Sequence, residues 1–296
     1  MNKDFPFALE KGSKKYACPQ CGHKRFVRYT LRNGSYVSEF HGRCDREQEC
    51  GYHTPPNIKL PNVKPVARRV VMERKPSYME PSLITRCLGH QNNLSSFLMS
   101  RYGEARANDA IKKYRVGSAT KWDGATVFWQ IDHSGDVRAG KIMLYGDGGK
   151  RVKGEGGPKV SWVHSELKLP NYSLKQCFFG EHLLKNYNGQ MVGIVESEKT
   201  AIIASIHNPE VIWLATGGKY GCGLTRRSVI DVLRGMNVKL FPDKGCFVEW
   251  AGMAKDVEMG WSVSGKLECD SSVPNGDDIA DLLLGLEPDE CLSLNK

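Results

Sequence analysis

Glu196 closes the apolar run Val192–Val195 in "VGIVESEKTAIIAS", and the residues behind it carry apolar positions at a helical period. An acid held at the end of a buried strand, just ahead of a helix, is placed where chemistry can reach it. Asp243 closes a second such strand, "VKLFPD", and Asp277, Asp278 and Asp281 lie in "NGDDIADLLLGL", where a turn enters a helix. Carboxylates drawn together repel one another unless a cation neutralises them, so Glu196, Asp243 and one or more of Asp277, Asp278 and Asp281, Asp278 foremost, are expected to bind Mg²⁺ or Mn²⁺. Such an ion serves phosphoryl chemistry, in which Glu196 could also take a proton from an attacking hydroxyl. All five acids are therefore catalytic candidates. The plainer alternative makes Asp277 a helix N-cap and Glu196 a surface acid.

The elements that must position these acids alternate from Met191 onward. Strand "MVGIVE", helix "KTAIIASIH", strand "VIWLAT", helix "TRRSVIDVLRG", strand "VKLFPD", helix "FVEWAGMAKDV" and strand "WSVSG" follow one another. That order specifies an α/β sheet with mainly parallel strands, whose reactive groups collect beyond the carboxyl ends.

A second chemical group opens the chain. Cys18 and Cys21 form a C-x2-C knuckle in "CPQCG"; Cys44 and Cys50 follow, with His53 close behind. The tight turn "CPQCG" can aim two thiolates at one Zn²⁺, the wider C-x5-C knuckle supplies the rest, and a closed tetrahedral site is structural rather than catalytic. Cys50 is favoured as the fourth ligand, with His53 as the alternative. Between the knuckles, "RFVRYTL" and "SYVSEFHG" flank the turn "RNGS" and read as a β-hairpin, so the whole is a zinc β-ribbon. Its cations, Arg25, Arg28 and Arg43 among them, interleave with Phe26, Tyr29, Tyr36 and Phe40. Charges beside stacking rings suit single-stranded nucleic acid, although some of those rings must form the ribbon's own core.

Residues 57–80, which open on "NIKLPNVKP" just after the prolines Pro55 and Pro56, read as a linker. Beyond it, Leu94, Phe97 and Leu98, then Ala107, Ala110 and Ile111, carry helical spacing. "ATVFWQIDHSGDVRAGKIMLYG" is a strand, a turn and a strand, and "PKVSWVHSEL" continues the β character. Arg138, Lys141, Arg151, Lys153 and, beyond this segment, Lys199 are the expected phosphate-binding cations. The glycine-rich "GDGGKRVKGEGGPK" is a solvated turn or a phosphate cradle, and it lacks the spacing of a nucleotide-binding P-loop.

The charge of +9 is uneven, with 16 Lys+Arg against 7 Asp+Glu over residues 1–75 and 10 against 16 from 191 onward. A basic front ahead of an acidic rear fits a polyanion surface joined to a carboxylate-bearing module. Four of the ten cysteines cluster between Cys18 and Cys50, which argues against a secreted disulfide scaffold. No long apolar run occurs and the N-terminus lacks the apolar stretch of a signal peptide, so a cytoplasmic chain without a membrane partner is expected.

"VGIVESEK", "LFPDKG" and "GDDIADLL" resemble the three acidic motifs of the TOPRIM domain of bacterial-type primases, topoisomerases and some nucleases. A ribbon, a basic segment and such a domain in this order resemble bacterial and phage primases, and "PKVSWVHS" with "QCFFGEHLL" resembles the segment leading into TOPRIM there. The chain is similar, over nearly its full length, to primase-like proteins of bacterial mobile elements. The resemblance implies a multi-domain α+β chain: a ribbon over 1–56, a linker over 57–80, an intermediate domain over 81–190 and an α/β TOPRIM-like domain over 191–296. It implies Mg²⁺-dependent primer synthesis on single-stranded DNA, or on RNA, from nucleoside triphosphates, with unwinding left to a separate helicase. Ser197 and Thr200 stand where the family has glycine and aspartate, and Asp243, Lys244 and Gly245 replace its Asp-x-Asp. Lys244 or Lys199 is expected to weaken cation binding by repulsion. A binding protein with a degenerate TOPRIM domain, and a nuclease, are the alternatives.

Overall fold

The computed structural model describes residues 7–46, 49–56, 75–155, 157–218, 221–287 and 290. Two units, residues 1–73 and 74–296, each have their own core.

Unit 1 is built on five short strands: β1 (Phe7–Leu9), β2 (Tyr16–Ala17), β3 (Lys24–Leu31), β4 (Gly42–Cys44) and β5 (His53–Thr54). They pair antiparallel in the order β1-β3-β4-β5, with β2 also on β3. The predicted hairpin forms its first arm as β3, but "SYVSEFHG" is not the returning strand. After the Thr30–Tyr36 bridge the chain leaves the ladder, because the Ser38 hydroxyl bonds the His41 ring at 2.6 Å and accepts the N–H groups of Phe40 and His41. Such local side-chain bonds compete with strand pairing. The return is β4, which carries Cys44 directly against Phe26.

In unit 2, α1 (Ser82–Cys87), α2 (Asn93–Tyr102) and α3 (Glu104–Lys113) precede the antiparallel strands β6 (Gly117–Ala119), β7 (Ala125–Ile131) and β8 (Val137–Met143). A small ribbon, β9 (Lys153–Gly154) and β10 (Gly157–Pro158), leads to β11 (Val160–Trp162) and α4 (Val163–Glu166). This sheet runs β11-β8-β7-β6. The expected helical periods fall on α2 and α3, where Leu94, Leu98 and Ala107 are fully buried. Asn92 starts α2 with a capping box: its side-chain oxygen accepts the Ser95 N–H at 3.0 Å and the Thr126 hydroxyl at 2.9 Å, tying the helix to β7. Residues 57–74 of the expected linker lie outside the described residues; further on, Met79 bridges Val137.

The second sheet follows the predicted alternation. β12 (Val192–Val195), α5 (Glu198–His207), β13 (Ile212–Ala215), α6 (Arg227–Ile230), β14 (Val238–Leu240), α7 (Phe247–Val257), β15 (Ser262–Val263), α8 (Lys266–Cys269) and α9 (Ile279–Leu283) give a parallel sheet ordered β13-β12-β14-β15. The helix expected from "TRRSVIDVLRG" shortens to one turn plus a 3₁₀ turn over Asp231–Leu233, since β-branched residues and Gly235 disfavour a longer one. Helix α5 is buried nearly all round, its polar Glu198, Thr200, Ser205 and His207 included, and Ala201, Ile202 and Ile203 share one core with Phe128 and Tyr114 of the first sheet's segment. The segments 81–190 and 191–296 therefore close around a common interior. Overall the protein is a mixed α/β chain with an N-terminal zinc-ribbon fold. Among the described residues no helix is long and apolar enough to cross a membrane.

Candidate functional site

The four ribbon cysteines meet. Cys18, Cys21, Cys44 and Cys50 place their sulfurs within 4.8 Å of one another, with Cys18 to Cys50 at 3.7 Å and Cys21 to Cys44 at 4.0 Å. Tetrahedral zinc with Zn–S bonds of ~2.3 Å requires sulfurs about 3.8 Å apart. The donor set fits Zn²⁺, as does its setting, in which backbone N–H groups two residues on, at His23, Arg46 and Tyr52, face the sulfurs of Cys21, Cys44 and Cys50. His53 is engaged elsewhere, stacked on Tyr29 with its Nε2 2.9 Å from the Tyr29 hydroxyl. Cys50→Ser is thus expected to lose the metal, and His53→Ala to keep it at about one zinc per chain, by elemental analysis of purified protein.

Around this centre the ribbon's rings divide. Phe26 is buried against Tyr52, and the Arg28 guanidinium lies 4.0 Å from the centre of the Tyr16 ring, beside Tyr36. Phe40 remains 57% exposed, and Arg25 is exposed as well. Arg43 is half-buried on β4.

In unit 2, β12 and β14 are adjacent and parallel, so Glu196 and Asp243, which follow them, come to the same edge of the sheet. The third acidic segment is brought in by backbone pairing: Lys244 N–H donates to the Asp277 carbonyl at 2.9 Å, and Gly276 N–H to the Lys244 carbonyl at 3.1 Å. The result is electrostatic crowding. Burial, then the charges of Glu196 and Asp278, push the Asp243 carboxyl up to about 8, with the Arg151 guanidinium opposing and Asp281 adding to the rise. Asp278 is also raised, chiefly by burial, against the Thr200 hydroxyl that donates to its Oδ2 at 2.5 Å.

The capping alternative holds for a different residue than expected. Asp278, not Asp277, caps α9: its Oδ1 accepts the N–H groups of Ala280 and Asp281, while Asp281 Oδ2 accepts the Asp278 N–H at 2.9 Å. Asp277 enters through its backbone, its carbonyl accepting the Lys244 N–H and its own N–H donating to the Pro274 carbonyl at 3.3 Å. Glu196, for its part, is buried and not a surface acid. Among the described residues, only the four cysteines gather three or more metal-binding side chains with donor atoms within 4.8 Å. The acids act on one another through charge and offer hard oxygen donors of the kind a divalent cation takes.

The cations sort in the same way. Arg138 donates to Asp132 at 2.6 Å, and Lys141 is buried against Glu198. Arg151 and Lys153 are exposed on the glycine-rich segment, and Lys199 donates to the Gly149 carbonyl of that segment at 3.3 Å. Of the two lysines expected to repel a cation, Lys244 points its ammonium to the Asp270 carbonyl, whereas the Lys199 charge reaches Asp278. Sequence reasoning did not single out Tyr145 or Glu198. Both are buried, and the Tyr145 hydroxyl is raised by burial first and then by Glu198, with Asp278 also within range.

A family described as a zinc beta-ribbon finger matches residues 5–63. No curated protein matches the chain. Among solved structures, the primase fragment of the bacteriophage T7 primase-helicase protein is 15% identical with a TM-score of 0.42, covering 94% of this chain and 96% of that one. The DnaG primase catalytic domain bound to ssDNA is 12% identical at a TM-score of 0.45, covering 70% and 73%. The Aquifex aeolicus primase, comprising zinc-binding and RNA polymerase domains, is 13% identical at 0.46, covering 70% and 56%. Each is a similarity at low identity and at a TM-score below 0.5. A further family model covers residues 92–244, just over half of the 296, and on that match the chain belongs to the family described as a domain of unknown function, DUF6371.

Proposed function

We propose that the chain is a primase-like nucleic-acid-binding protein whose acidic edge holds a divalent cation and transfers nucleotides onto a primer on single-stranded DNA. The observation that carries this reading is the crowding of Asp243, just beyond β14, by Glu196 at the end of the adjacent parallel β12 and by Asp278 at the start of α9. Three carboxylates brought together in a partly buried setting are costly without a counter-ion. Glu196, Asp243 and Asp278 would hold Mg²⁺ or Mn²⁺, which when bound stabilises charge on phosphate oxygens. Glu196, buried at the strand end, is placed to receive the proton of an attacking hydroxyl. Arg151, Lys153 and Lys199 supply positive charge on the glycine-rich segment and on the first turn of α5, where nucleoside triphosphates would lie. In the ribbon, Arg25, Arg43 and exposed Phe40 suit the bases and phosphates of a single strand. Action in the replication or transfer of a mobile element, in the cytoplasm beside a separate helicase, belongs to the same reading.

A second reading has its own observation. Thr200 stands in place of an acid and spends its hydroxyl on Asp278, whose other oxygen caps α9, so part of the edge is already satisfied within the protein. This favours a nucleic-acid-binding protein without catalysis. Templated synthesis with labelled nucleotides separates the two, run beside Glu196→Gln and Asp243→Asn. The proposal expects product from wild type and at least ~100-fold less from either variant. Absence of product from wild type removes the primase reading, and strand cleavage in its place identifies a nuclease.

A further inference from the structure

The Lys141 ammonium has three acceptors, matching its three protons: Glu198 Oε1 at 3.1 Å, Glu198 Oε2 at 3.2 Å and the Gly217 carbonyl at 2.8 Å. Lys141 is 8% exposed and Glu198 2%. Both of its partners flank Glu196. Glu198 lies two residues beyond it, at the first position of α5. Gly217 and Gly218 each donate their N–H to the Glu196 carbonyl at 2.9 Å. Gly217 has φ +82°, and a Cβ there would come within 3.1 Å of Glu198 Oε1, so the loop passes close over the pair.

We propose that Lys141 is a positioning residue for the acidic edge: from β8 it clamps the two anchor points of Glu196, Glu198 and the Gly217 loop, and does not contact phosphate. This rests on the reading of that edge as a divalent-cation site. A purely stabilising role asks for less, since an apolar pair of similar volume packs at least as well as a buried ion pair. What an apolar pair cannot supply is direction: three hydrogen bonds from one atom fix the β12–α5 junction and the β13 loop relative to each other. Partners of metal ligands that act in this manner change metal affinity 10–100-fold when removed, on the order seen in other proteins.

Two measurements on the full chain test this. Lys141→Met leaves Glu198 buried without its cation, so the melting temperature falls; Lys141→Met with Glu198→Met removes both charges and restores it. The inference expects the restored double variant to bind Mn²⁺ at least ~10-fold more weakly than wild type, by titration of the free-ion electron paramagnetic signal. Equal Mn²⁺ affinity in a fully restored double variant overturns it and leaves the cation site standing. A wild-type chain that takes up no Mn²⁺ overturns the cation-site reading, and the inference with it. Reductive methylation of the folded wild type, read by mass spectrometry, needs no variant. Lys141 is expected to stay unmodified while exposed Lys153 reacts; ready methylation of Lys141 that added triphosphate blocks would make it a phosphate ligand and sink the proposal.

Discussion

Asp243→Asn is expected to stabilise the cation-free protein and to abolish its uptake of Mn²⁺. The first effect follows from linkage. An aspartate in the unfolded chain titrates at about 3.9, whereas burial and the charges of Glu196 and Asp278 hold Asp243 at about 8 in the folded one. Between these values the folded chain keeps a proton that the unfolded chain has released, so stability falls as pH rises. Above about pH 8 the folded state carries the full cost of the ionised group. Asparagine never ionises, so the gain of the variant over wild type grows from pH 5 to 8 and then levels off. A gain on the order of 5–10 °C in melting temperature at pH 8.5 is expected for a unit of this size. Saturating Mn²⁺ should reverse the ranking, because the ion stabilises only the protein that binds it. Equal melting curves for the two proteins across the pH range would contradict the crowding.

The second large effect lies in the ribbon. Its buried apolar set is Cys18, Phe26 and Cys44, with Val27 and Val37 buried nearby, too little to offset the entropy of ordering the strands. Zinc contributes on the order of 10–16 kcal/mol to comparable small domains. Cys44→Ser, or chelation of the native protein, is therefore expected to unfold residues 16–54 outright. Amide resonances of β3 and β4 should collapse to random-coil positions, while those of β7, β8 and β12, which belong to separate cores, keep theirs. Retention of dispersed β3 and β4 resonances after complete zinc removal would show that the metal is not what folds the ribbon.

Local patterns were legible where the physics is local. Cysteine spacing pointed to the four sulfurs that meet, and alternation of apolar strands with helical periods pointed to the parallel sheet that carries Glu196 and Asp243 to one edge. The helix cap was misplaced by one residue: Asp277 was the expected cap, whereas Asp278, whose spacing to Asp281 is that of a capping box, takes the role. Other features depend on partners far away in sequence. Lys141 meets Glu198 across 57 positions and Thr200 meets Asp278 across 78, and neither contact has a local signature. Basic residues on strands read alike whether they face water or an acid. Arg138 and Lys141 turned out to be engaged inside the fold, while Arg151 and Lys153 are exposed. Ser38 shows the reverse case, a short polar side chain whose bonds to the next turn override a strand-like pattern.

The most direct measurement is a crystal of the full chain grown with Mn²⁺, with anomalous scattering recorded at the manganese edge. The account predicts a peak in contact with carboxylate oxygens of Glu196 and Asp243, at about 2.2 Å. Manganese absent from that edge, in crystals that show zinc among the four cysteines, would contradict it.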